Sequence, residues 1–337
     1  MKKTFVIIGC GHIAKRHVTH IKNHPLGELV GAYDINQDVL TEFAAKHGVK
    51  AYPSLESLLT DRAIDVVNIC TPNGTHANLA IKVMRSGKNV VVEKPMSISV
   101  DTAKEMEAVA IETGVKMFVV KQNRYNPPVA RVKDLIANKK LGKVLMVSVN
   151  CYWNRNAGYY LQSPWRGTRA LDGGTLYTQF SHFIDIIYYL FGEISNVNGV
   201  VKNVSHQDLI EFEDSGSFSF EFANGGIGNF SFTTSSYQQN MEGSITIFAE
   251  NATIKIGGKY LNTIDYQVTD GFDITDIPTS SPANNYGFYE GSMSNHDKVI
   301  NNVIETLYGR EEVMTSAYEG RKVVEIISQF YKGANNI

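Results

Sequence analysis

Hydrophobic residues in the first 120 positions form short continuous runs, separated by longer amphipathic stretches. Five runs rich in β-branched residues predict strands at Lys3–Ile8, 28–33, 65–70, Asn89–Val92 and 115–120. Between them, apolar positions recur every three or four residues in 12–23 and Val100–Thr113, which predicts helices. Continuous apolar strands alternating with helices indicate a parallel sheet covered on both faces. We therefore predict an α/β doubly wound domain over residues 1–120.

The pattern changes after residue 120, and we place a second domain at 121–337. Helical periodicity covers 126–138 and 176–190, with a strand at 143–152 between them. From 195 to 268, polar and apolar residues alternate with period two, which predicts a large open, mainly antiparallel sheet with one wet face. Two further helices, 295–308 and 315–331, complete an α+β domain or pack back on the first domain. The stretch 269–291, rich in Ser, Pro, Asn and Gly, predicts a long loop.

Charge and composition narrow the class of protein. The formal net charge is −2, which disfavours a nucleic-acid-binding surface. The apolar runs are far shorter than the about 20 residues of a membrane span, and glycines interrupt any signal-peptide core near the N-terminus. Three cysteines show neither disulfide nor metal-ligand spacing. We expect a cytoplasmic protein without a metal site, and with neither nucleic acid nor membrane as partner.

A glycine motif between the first predicted strand and helix points to a dinucleotide. Gly9-Cys10-Gly11-His12-Ile13-Ala14 matches G-x-G-x-x-G/A, in which glycines permit a tight turn and close approach of a pyrophosphate to the helix N-terminus. Asp34 ends the second strand, 20 residues past Ala14, where a carboxylate accepts hydrogen bonds from ribose hydroxyls and repels a 2′-phosphate. The motif therefore predicts NAD rather than NADP. A glycine turn in an unrelated α/β domain is the competing interpretation.

Polar residues also follow the next two strands, at the sheet edge where ligands bind. Residues 71–76 (TPNGTH) follow one strand, and Thr75 either faces the ligand or caps the next helix. Glu93-Lys94-Pro95 follows the other, where a buried charged pair is costly unless it is used or paired. Glu93 is alternatively a structural partner of the backbone or of Lys94. Pro95 fixes the turn, with a cis peptide as one possibility.

In this order, the motifs resemble those of the Gfo/Idh/MocA oxidoreductase family over essentially the whole chain. Further matching elements are Trp165-Arg166, Gly173-Gly174 with His182, and Gly320-Arg321. The resemblance implies a Rossmann domain, an α+β domain whose open sheet forms a homo-oligomer (dimer or tetramer), and NAD as cofactor. The residues expected to bind NAD are Gly9, Gly11, His12, Ile13, Asp34, Thr71, Pro72, Asn73, His76, Glu93, Lys94, Gln122, Trp165 and Arg166.

A narrower resemblance is to nucleotide-sugar 3-dehydrogenases of the UDP-N-acetylglucosaminuronate type. It is carried by residues 121–127 (KQNRYNP), 159–160, 164–168, 172–174, 179–182 and 295–297. It implies oxidation of the sugar C3 hydroxyl to a ketone in surface-polysaccharide and lipopolysaccharide biosynthesis. Some members of that group recycle bound NADH with 2-oxoglutarate.

The resemblance implies that Lys94 and His182 are catalytic. A lysine at the strand end donates to the reacting hydroxyl, and a histidine of ordinary pKa about 6.5 accepts its proton. On sequence alone, a histidine satisfied within the core is the alternative for His182. Many family members have Asp four residues before this histidine, where this chain has Thr178. That difference fits the nucleotide-sugar group, and leaves open whether Lys94 or His182 is the base.

A UDP-sugar acid presents a pyrophosphate and a carboxylate, which arginine binds in bidentate fashion. Arg155 and Arg169 are candidates, with solvated surface arginines as the alternative, and Asn295 and His296 either reach the substrate or cap the late helix. The predicted substrate-binding residues are Asn123, Arg124, Arg155, Tyr160, Arg169, Thr178, Gln179, His182, Asn295 and His296.

Two rival functions remain on sequence grounds. One is a dehydrogenase of a free sugar or polyol such as inositol, which Thr178 in place of Asp disfavours. The other is a non-catalytic, NAD-sensing regulator on the same fold, which the presence of both Lys94 and His182 disfavours.

Overall fold

The computed structural model describes residues 1–275, 277–280, 282–285 and 290–334. They fall into two compact units. The first comprises residues 1–121 and 296–324, and the second comprises residues 122–295 and those from 325 onward. Among the described residues, no helix is long and apolar enough to cross a bilayer.

The first unit is built on a six-stranded parallel sheet with strand order β3-β2-β1-β4-β5-β6. Its strands are β1 (Lys3–Ile8), β2 (Gly27–Tyr33), β3 (Lys50–Ala51), β4 (Val66–Ile69), β5 (Asn89–Val92) and β6 (Met117–Val119). The chain reverses direction of winding between β1 and β4, and ligands of such sheets bind where the carboxyl ends of these strands meet. The predicted doubly wound α/β fold is confirmed.

Helices join these strands, as a parallel sheet requires. They are α1 (Ala14–Asn23), α2 (Gln37–His47), α3 (Leu55–Thr60), α4 (His76–Arg85) and α5 (Val100–Thr113), with a 3₁₀ turn at Asn73–Thr75. Helix α1 buries Ala14, His17, Val18 and Ile21. His17 and Ile21 belong to the apolar stripe that the sequence periodicity predicts, whereas Ile13, its first member, is half-buried and precedes the helix.

The second unit contains a seven-stranded sheet of order β13-β12-β11-β7-β10-β9-β8. Its strands are β7 (Val144–Tyr152), β8 (Ile194–Lys202), β9 (Ser215–Phe222), β10 (Ile227–Thr233), β11 (Glu242–Ala249), β12 (Ala252–Gly257) and β13 (Thr263–Thr269). Only the β7–β10 pair is parallel among the pairs of this sheet. The predicted open, mainly antiparallel sheet is therefore confirmed.

Helices of the second unit are α6 (Pro127–Ala137), α7 (Ala157–Tyr160), α8 (Thr175–Thr178) and α9 (Ser181–Phe191), with a 3₁₀ turn at Gln122–Tyr125. Helix α9 packs on the buried face of the sheet, and the Phe180 ring before it lies 4.9 Å from Phe232. The sequence predicts a single helix over 176–190, whereas the chain breaks between α8 and α9. At that break the Gln179 side chain bonds to Arg155 and Tyr159.

The segment predicted as a long loop contains a short antiparallel ribbon, formed by β14 (Ala283–Asn285) and β15 (Glu290–Met293). Positions 276, 281 and 286–289 of that loop lie outside the described residues. The last two helices are α10 (His296–Leu307), in the first unit, and α11 (Ala317–Lys332), which begins in the first unit and ends in the second.

Candidate active site

The turn from β1 into α1 can be made only by glycine at its first position. Gly9 has φ +89°, and a Cβ there would lie 2.8 Å from Thr71 Cγ2 and 2.9 Å from the Cys70 carbonyl carbon. A Cβ on Gly11 would meet nothing within 4 Å, so this side of the turn is open. Among the residues that the structure describes, no side chain caps the N-terminus of α1. Open space beside uncapped helix N–H groups is what a bound pyrophosphate requires.

Asp34 holds the glycine turn from the end of β2. Its Oδ2 accepts a hydrogen bond from the Cys10 N–H at 2.8 Å, and its Oδ1 accepts one from the Asn36 N–H at 2.9 Å. Each carboxylate oxygen retains a further acceptor site for a ribose hydroxyl. The neighbouring Ile35 is 87% exposed and offers no positive charge to a 2′-phosphate. The residues present therefore fit NAD.

The end of β4 is tied to the turn after β5 by His76. The buried imidazole places Nε2 2.9 Å from the Thr71 carbonyl oxygen and Nδ1 2.8 Å from that of Pro95. Burial lowers the pKa of His76, against these two carbonyl contacts, which favour the protonated ring. Thr75 does not cap α4, because its hydroxyl bonds to the Pro72 carbonyl oxygen. The sequence assigned His76 to the cofactor; here it fixes the shape of two turns.

Glu93 at the end of β5 lies in a buried cluster with His17 and His296. His17 Nε2 is 2.9 Å from Glu93 Oε1, and His296 Nε2 is 3.4 Å from the same oxygen. Burial alone would raise the pKa of Glu93, but the two histidines hold it well below its usual range. The other oxygen, Oε2, accepts the Lys94 N–H at 3.2 Å, and the Lys94–Pro95 peptide is cis. The cluster thus holds the backbone of Lys94, a half-buried residue.

The same three residues are the one group, among those described, whose donor atoms have metal-ligand spacing, all within 4.8 Å. Asn68 Nδ2 donates to His17 Nδ1 at 2.7 Å, so His17 carries its proton on Nε2, toward Glu93. A proton in that position occupies the lone pair that a metal would need. We interpret the cluster as a hydrogen-bonded network around the Glu93 carboxylate. His17 had no assigned role in the sequence analysis, although a histidine in an apolar helical stripe was a signal for one.

In the second unit, His182 lies on the first turn of α9 and is buried. Its Nε2 is 3.4 Å from Ser292 Oγ on β15, and the Gln122 amide donates to the same Oγ at 2.8 Å. Sequence analysis named His182 and Gln122 but missed Ser292, because the preceding loop has no periodicity. Gln122, assigned to the cofactor, here supports a residue beside His182.

Several predicted substrate residues support the local structure of the second unit. Thr178 donates to the Asp172 carbonyl oxygen at 3.0 Å and also contacts its carboxylate. Arg124 is buried in a bidentate pair with Asp185. Arg155 donates to Gln179 Oε1 at 2.7 Å. Each of these side chains therefore has a structural contact that the sequence did not reveal.

The remaining predicted residues of this unit differ in what surrounds them. Tyr160 is buried in an apolar cluster with Tyr159, Ile210 and Phe212, and burial raises its pKa. Asn295 donates to the Gln122 carbonyl oxygen at 3.1 Å and to Asn126 Oδ1 at 2.7 Å. Trp165 and Arg166 are half-buried, with the Arg166 guanidinium 4.1 Å from the Tyr159 ring centroid, and the Arg169 side chain is exposed.

Asn123 differs from the other predicted substrate residues in its hydrogen bonding. It is 1% exposed, yet within the described part of the chain neither atom of its amide has a hydrogen-bond partner. Buried amides without partners are rare, because burial removes them from water without compensation. A ligand hydroxyl or carbonyl beside Asn123 would supply the missing bonds.

Two family profiles match the chain in succession. The first, described as an oxidoreductase family with an NAD-binding Rossmann fold, matches residues 3–121. The second, described as the GFO/IDH/MocA C-terminal domain, matches residues 129–255.

Two solved structures and one curated protein that are similar to this chain are named as dehydrogenases. WlbA from Bordetella pertussis, crystallised with NADH and UDP-GlcNAcA, is 33% identical and covers 100% of this chain and 97% of its own, with TM-score 0.89. WlbA from Chromobacterium violaceum, crystallised with the same two molecules, is 31% identical over 99% of this chain and 94% of its own, with TM-score 0.91. Glucose-6-phosphate 3-dehydrogenase of Bacillus subtilis is 26% identical over 99% of this chain and 97% of its own length.

Proposed function

Because this chain belongs to the Gfo/Idh/MocA oxidoreductase family and is an NAD-dependent dehydrogenase of CH–OH groups, we propose that its substrate is a nucleotide sugar. The expected reaction is oxidation of the C3 hydroxyl of UDP-N-acetylglucosaminuronic acid to a ketone. Its expected place is surface-polysaccharide or lipopolysaccharide biosynthesis.

One observation carries the choice of substrate. Two dehydrogenases crystallised with NADH and UDP-GlcNAcA match this chain from end to end at 31–33% identity. Thr178 adds a second reason, since the chain lacks the carboxylate that many family members place one turn before the histidine. The buried amide of Asn123 adds a third, since it has no hydrogen-bond partner among the described residues and a sugar carries hydroxyl and acetamido groups that would satisfy it.

In the proposed mechanism, Gly9, Gly11 and the N-terminus of α1 hold the pyrophosphate of NAD, and Asp34 holds the adenosine ribose. When bound, NAD accepts the hydride that leaves the carbon bearing the hydroxyl. The side chains of this chain then need only bind the substrate and remove the proton of its hydroxyl.

Lys94 is proposed to donate a hydrogen bond to the reacting oxygen. An ammonium aimed at that oxygen stabilises the negative charge that grows as the proton leaves. The Glu93 carboxylate fixes the Lys94 backbone through its N–H, which limits the positions that the side chain can take. His182 is proposed to accept the proton, since an imidazole titrates near neutral pH.

Recognition of the anionic parts of the substrate is proposed for Arg169, whose side chain is exposed. Asn123 is proposed to bind the sugar. Arg124, Arg155 and Thr178 are proposed to act mainly by shaping the site, because each is bonded to a buried partner.

A sugar phosphate is the second candidate substrate. Glucose-6-phosphate 3-dehydrogenase of Bacillus subtilis matches 99% of this chain, although at only 26% identity. The two candidates differ in the uridine nucleotide, so competition by UDP separates them: UDP inhibits a nucleotide-sugar dehydrogenase and leaves a sugar-phosphate dehydrogenase unaffected.

Lys94→Ala and His182→Ala test the mechanism. Each is expected to lower turnover roughly 100-fold or more, because general acid–base catalysis contributes about 100- to 10,000-fold. NAD binding, measured by calorimetry, should persist in both. The controls are Lys82→Ala, an exposed lysine, and His47→Ala, a half-exposed histidine. Wild-type turnover in both catalytic variants would refute the assigned roles.

The open sheet supports a proposal of self-association. Strand pairing puts Val200, Ile227, Phe248, Tyr266 and Val268 on its outward face, and each is between 39% and 60% exposed. Large exposed apolar side chains sharing one sheet face are typical of an interface. We propose a dimer or tetramer through this face. Light scattering should give a mass above one chain, and Phe248→Glu should reduce it; a monomeric wild type contradicts the proposal.

The proposal also includes 2-oxoglutarate as the oxidant of bound NADH. Protein that retains NADH after purification should lose its NADH absorbance when 2-oxoglutarate is added. If the NADH absorbance is lost only when the ketone sugar is added, 2-oxoglutarate is not the oxidant and this part of the proposal is wrong.

A further inference from the structure

His206 lies in the connection between β8 and β9, and both nitrogens of its buried ring are close to hydrogen-bond acceptors. Nδ1 is 2.9 Å from Oδ2 of Asp214, and Nε2 is 2.7 Å from the backbone carbonyl oxygen of Arg155. A carboxylate and a carbonyl accept hydrogen bonds but have no hydrogen to donate. A neutral imidazole has a single N–H, so only the doubly protonated ring can donate to both partners.

Asp214 is held as a carboxylate by the donors around it. Its oxygens accept the backbone N–H groups of Val204 at 3.1 Å and Ser205 at 2.8 Å, and the hydroxyl of Ser215 at 2.9 Å. Burial alone would raise the pKa of Asp214, but the hydrogen bonds from His206 and from these backbone groups hold it well below its usual range. The proton between Asp214 and Nδ1 therefore belongs to the imidazole.

A second arrangement would use the hydroxyl of Ser205, whose Oγ lies 3.0 Å from Nδ1 of His206 and 2.9 Å from Oδ2 of Asp214. This hydroxyl could donate its one hydrogen to an unprotonated Nδ1. Nδ1 and the Asp214 oxygen would then be 2.9 Å apart with no hydrogen between them, and their lone pairs would repel each other. The doubly protonated ring avoids this repulsion and allows the hydroxyl to donate to Asp214.

The contact with Arg155 connects His206 to the predicted substrate-binding residues. The Arg155 guanidinium donates to Gln179 Oε1 at 2.7 Å, and the Gln179 amide donates to the Tyr159 hydroxyl at 2.6 Å. Gln179 lies at the break between α8 and α9, just before His182. The position of the Arg155 backbone therefore affects the turn from which α9 begins.

The connection that carries His206 also holds Arg169, the residue proposed to bind the anionic parts of the substrate. Glu211, in the same connection, donates its N–H to the Gly167 carbonyl oxygen at 2.8 Å. Its Oε2 accepts the Arg169 N–H at 2.6 Å. His206 therefore joins the Arg155 segment to the connection that holds the backbone of Arg169.

Among the described residues, Asp214 is the charged side chain paired with the His206 ring. The Tyr160 ring packs edge-on against the imidazole, with 5.4 Å between ring centroids, and burial raises the pKa of Tyr160, so its hydroxyl is uncharged near neutral pH. The Arg155 guanidinium faces Gln179, whereas its backbone oxygen faces His206. The other titratable groups on the surrounding segments have other partners or are exposed: Asp172, Asp208, Glu211 and Glu213.

We propose that His206 is a positioning residue for the substrate side of the site, and that its imidazolium fastens the Arg155 segment to the connection that holds Arg169. Loss of one proton leaves a single N–H for two acceptors, so one of the two contacts is lost. The site then binds its substrate less tightly at pH values where His206 is neutral. This inference rests on the proposed function, since it assigns a pH dependence to the same site.

The direct test is ¹⁵N NMR of the full chain with labelled histidine, because protonated and unprotonated ring nitrogens have separate shifts. The His206 signal is identified by its loss in His206→Gln. The wild type should have two protonated ring nitrogens at mildly acidic pH and lose one of them as the pH rises. Asp214→Asn, which keeps an acceptor oxygen and removes the charge, should move that loss to lower pH. A ring with one protonated nitrogen at every pH at which the wild type is folded would overturn the proposal.

Steady-state kinetics with UDP-N-acetylglucosaminuronic acid and NAD give the second readout. The wild-type KM for the sugar should rise roughly 3- to 10-fold, the worth of about one net hydrogen bond, through the same midpoint that NMR gives for His206. His206→Gln should have the raised KM at every pH and no change at that midpoint. Calorimetric affinity for NAD, which binds the first unit, should not change. The control is His47→Gln, a half-exposed histidine of the first unit, which should keep the wild-type profile.

The outcomes separate this inference from the proposed function. If the UDP-sugar acid is turned over with a KM that stays constant through the His206 midpoint, the positioning role is wrong and the proposed function stands. If the UDP-sugar acid is not turned over, the proposed function is wrong. The same pH series with a sugar that the chain does turn over then decides the positioning role, and a constant KM overturns it.

Discussion

The ion pair of Arg124 and Asp185 gives a sharp test of how the second unit is held together. The two side chains are 0% and 1% exposed, and Nη2 and Nε of Arg124 contact Oδ1 and Oδ2 of Asp185 at 2.9 and 3.0 Å. The ring of Tyr189 lies 4.6 Å from the guanidinium carbon. Asp185→Asn keeps the shape of the side chain and removes its charge.

We expect Asp185→Asn to destabilise the second unit by about 3–5 kcal/mol, because it removes the charge of the carboxylate that pairs with the buried guanidinium. Coulomb's law gives a similar size, about 4 kcal/mol for unit charges about 4 Å apart at an effective dielectric constant of about 20. Replacing both residues with leucine should cost less than the single change, because no buried charge remains.

Urea unfolding followed by tryptophan fluorescence measures this loss selectively. The chain has two tryptophans, and Trp153 and Trp165 both belong to the second unit. With a urea slope of about 1–3 kcal/mol per molar, the midpoint should fall by about 1 M or more. The control is Lys259→Gln, which removes a pair at 3.8 Å whose members are 40% and 48% exposed. That change should cost under about 1 kcal/mol.

An equally small shift in Asp185→Asn and Lys259→Gln would refute the reasoning. Arg124 would then not depend on Asp185, and its original assignment to the substrate would regain support.

Three further predictions concern the first unit. Asp34→Ala should lower the affinity for NAD about 10-fold or more and reduce the preference for NAD over NADP, because a carboxylate that accepts two backbone N–H bonds is lost. Calorimetric titration with both cofactors checks this, and an unchanged preference contradicts it. Glu93→Gln should destabilise the fold at pH values above 4.5, the usual pKa of a glutamate, because the pKa of Glu93 is depressed in the folded protein. The difference in stability from the wild type should shrink as the pH falls below 4.5. Hydrogen exchange of β5 at several pH values measures this difference, and a difference that grows on acidification refutes the prediction. Gly9→Ala should lose about 1–3 kcal/mol of stability and should also lose NAD binding. The control is Gly48→Ala: Gly48 has φ +65° and a Cβ there would meet nothing within 4 Å, so this variant should lose stability only. Equal NAD affinity in the two variants would count against the glycine turn as the cofactor site.

The parts of the fold that the sequence predicts well are those determined by residues close together in the chain. The stripe of α1, the glycine turn and the period-two strands each follow from neighbouring residues, and the structure has them within a few positions. Strand β3 is only two residues long, so it has no periodicity to detect. The break between α8 and α9 depends on bonds from Gln179 to Arg155 and Tyr159, about 20 residues away.

The roles of the site residues divide in the same way. The sequence predicts Asp34 and Lys94 as site residues because strand ends mark ligand sites in parallel sheets. Arg124 looked like an anion binder, but its partner Asp185 is 61 residues distant in sequence. Ser292 contacts Gln122 across 170 residues and His182 across 110. Contacts of that separation leave no spacing pattern, so residue type alone could not distinguish a support from a substrate ligand.

The most direct measurement is NADH formation by the purified chain with NAD and UDP-N-acetylglucosaminuronic acid, beside glucose 6-phosphate and myo-inositol. Calorimetric titration with UDP alone completes the comparison. We expect turnover with the UDP-sugar acid, binding of UDP, and no turnover with the other two. Turnover of glucose 6-phosphate or inositol without any binding of UDP would contradict the nucleotide-sugar assignment.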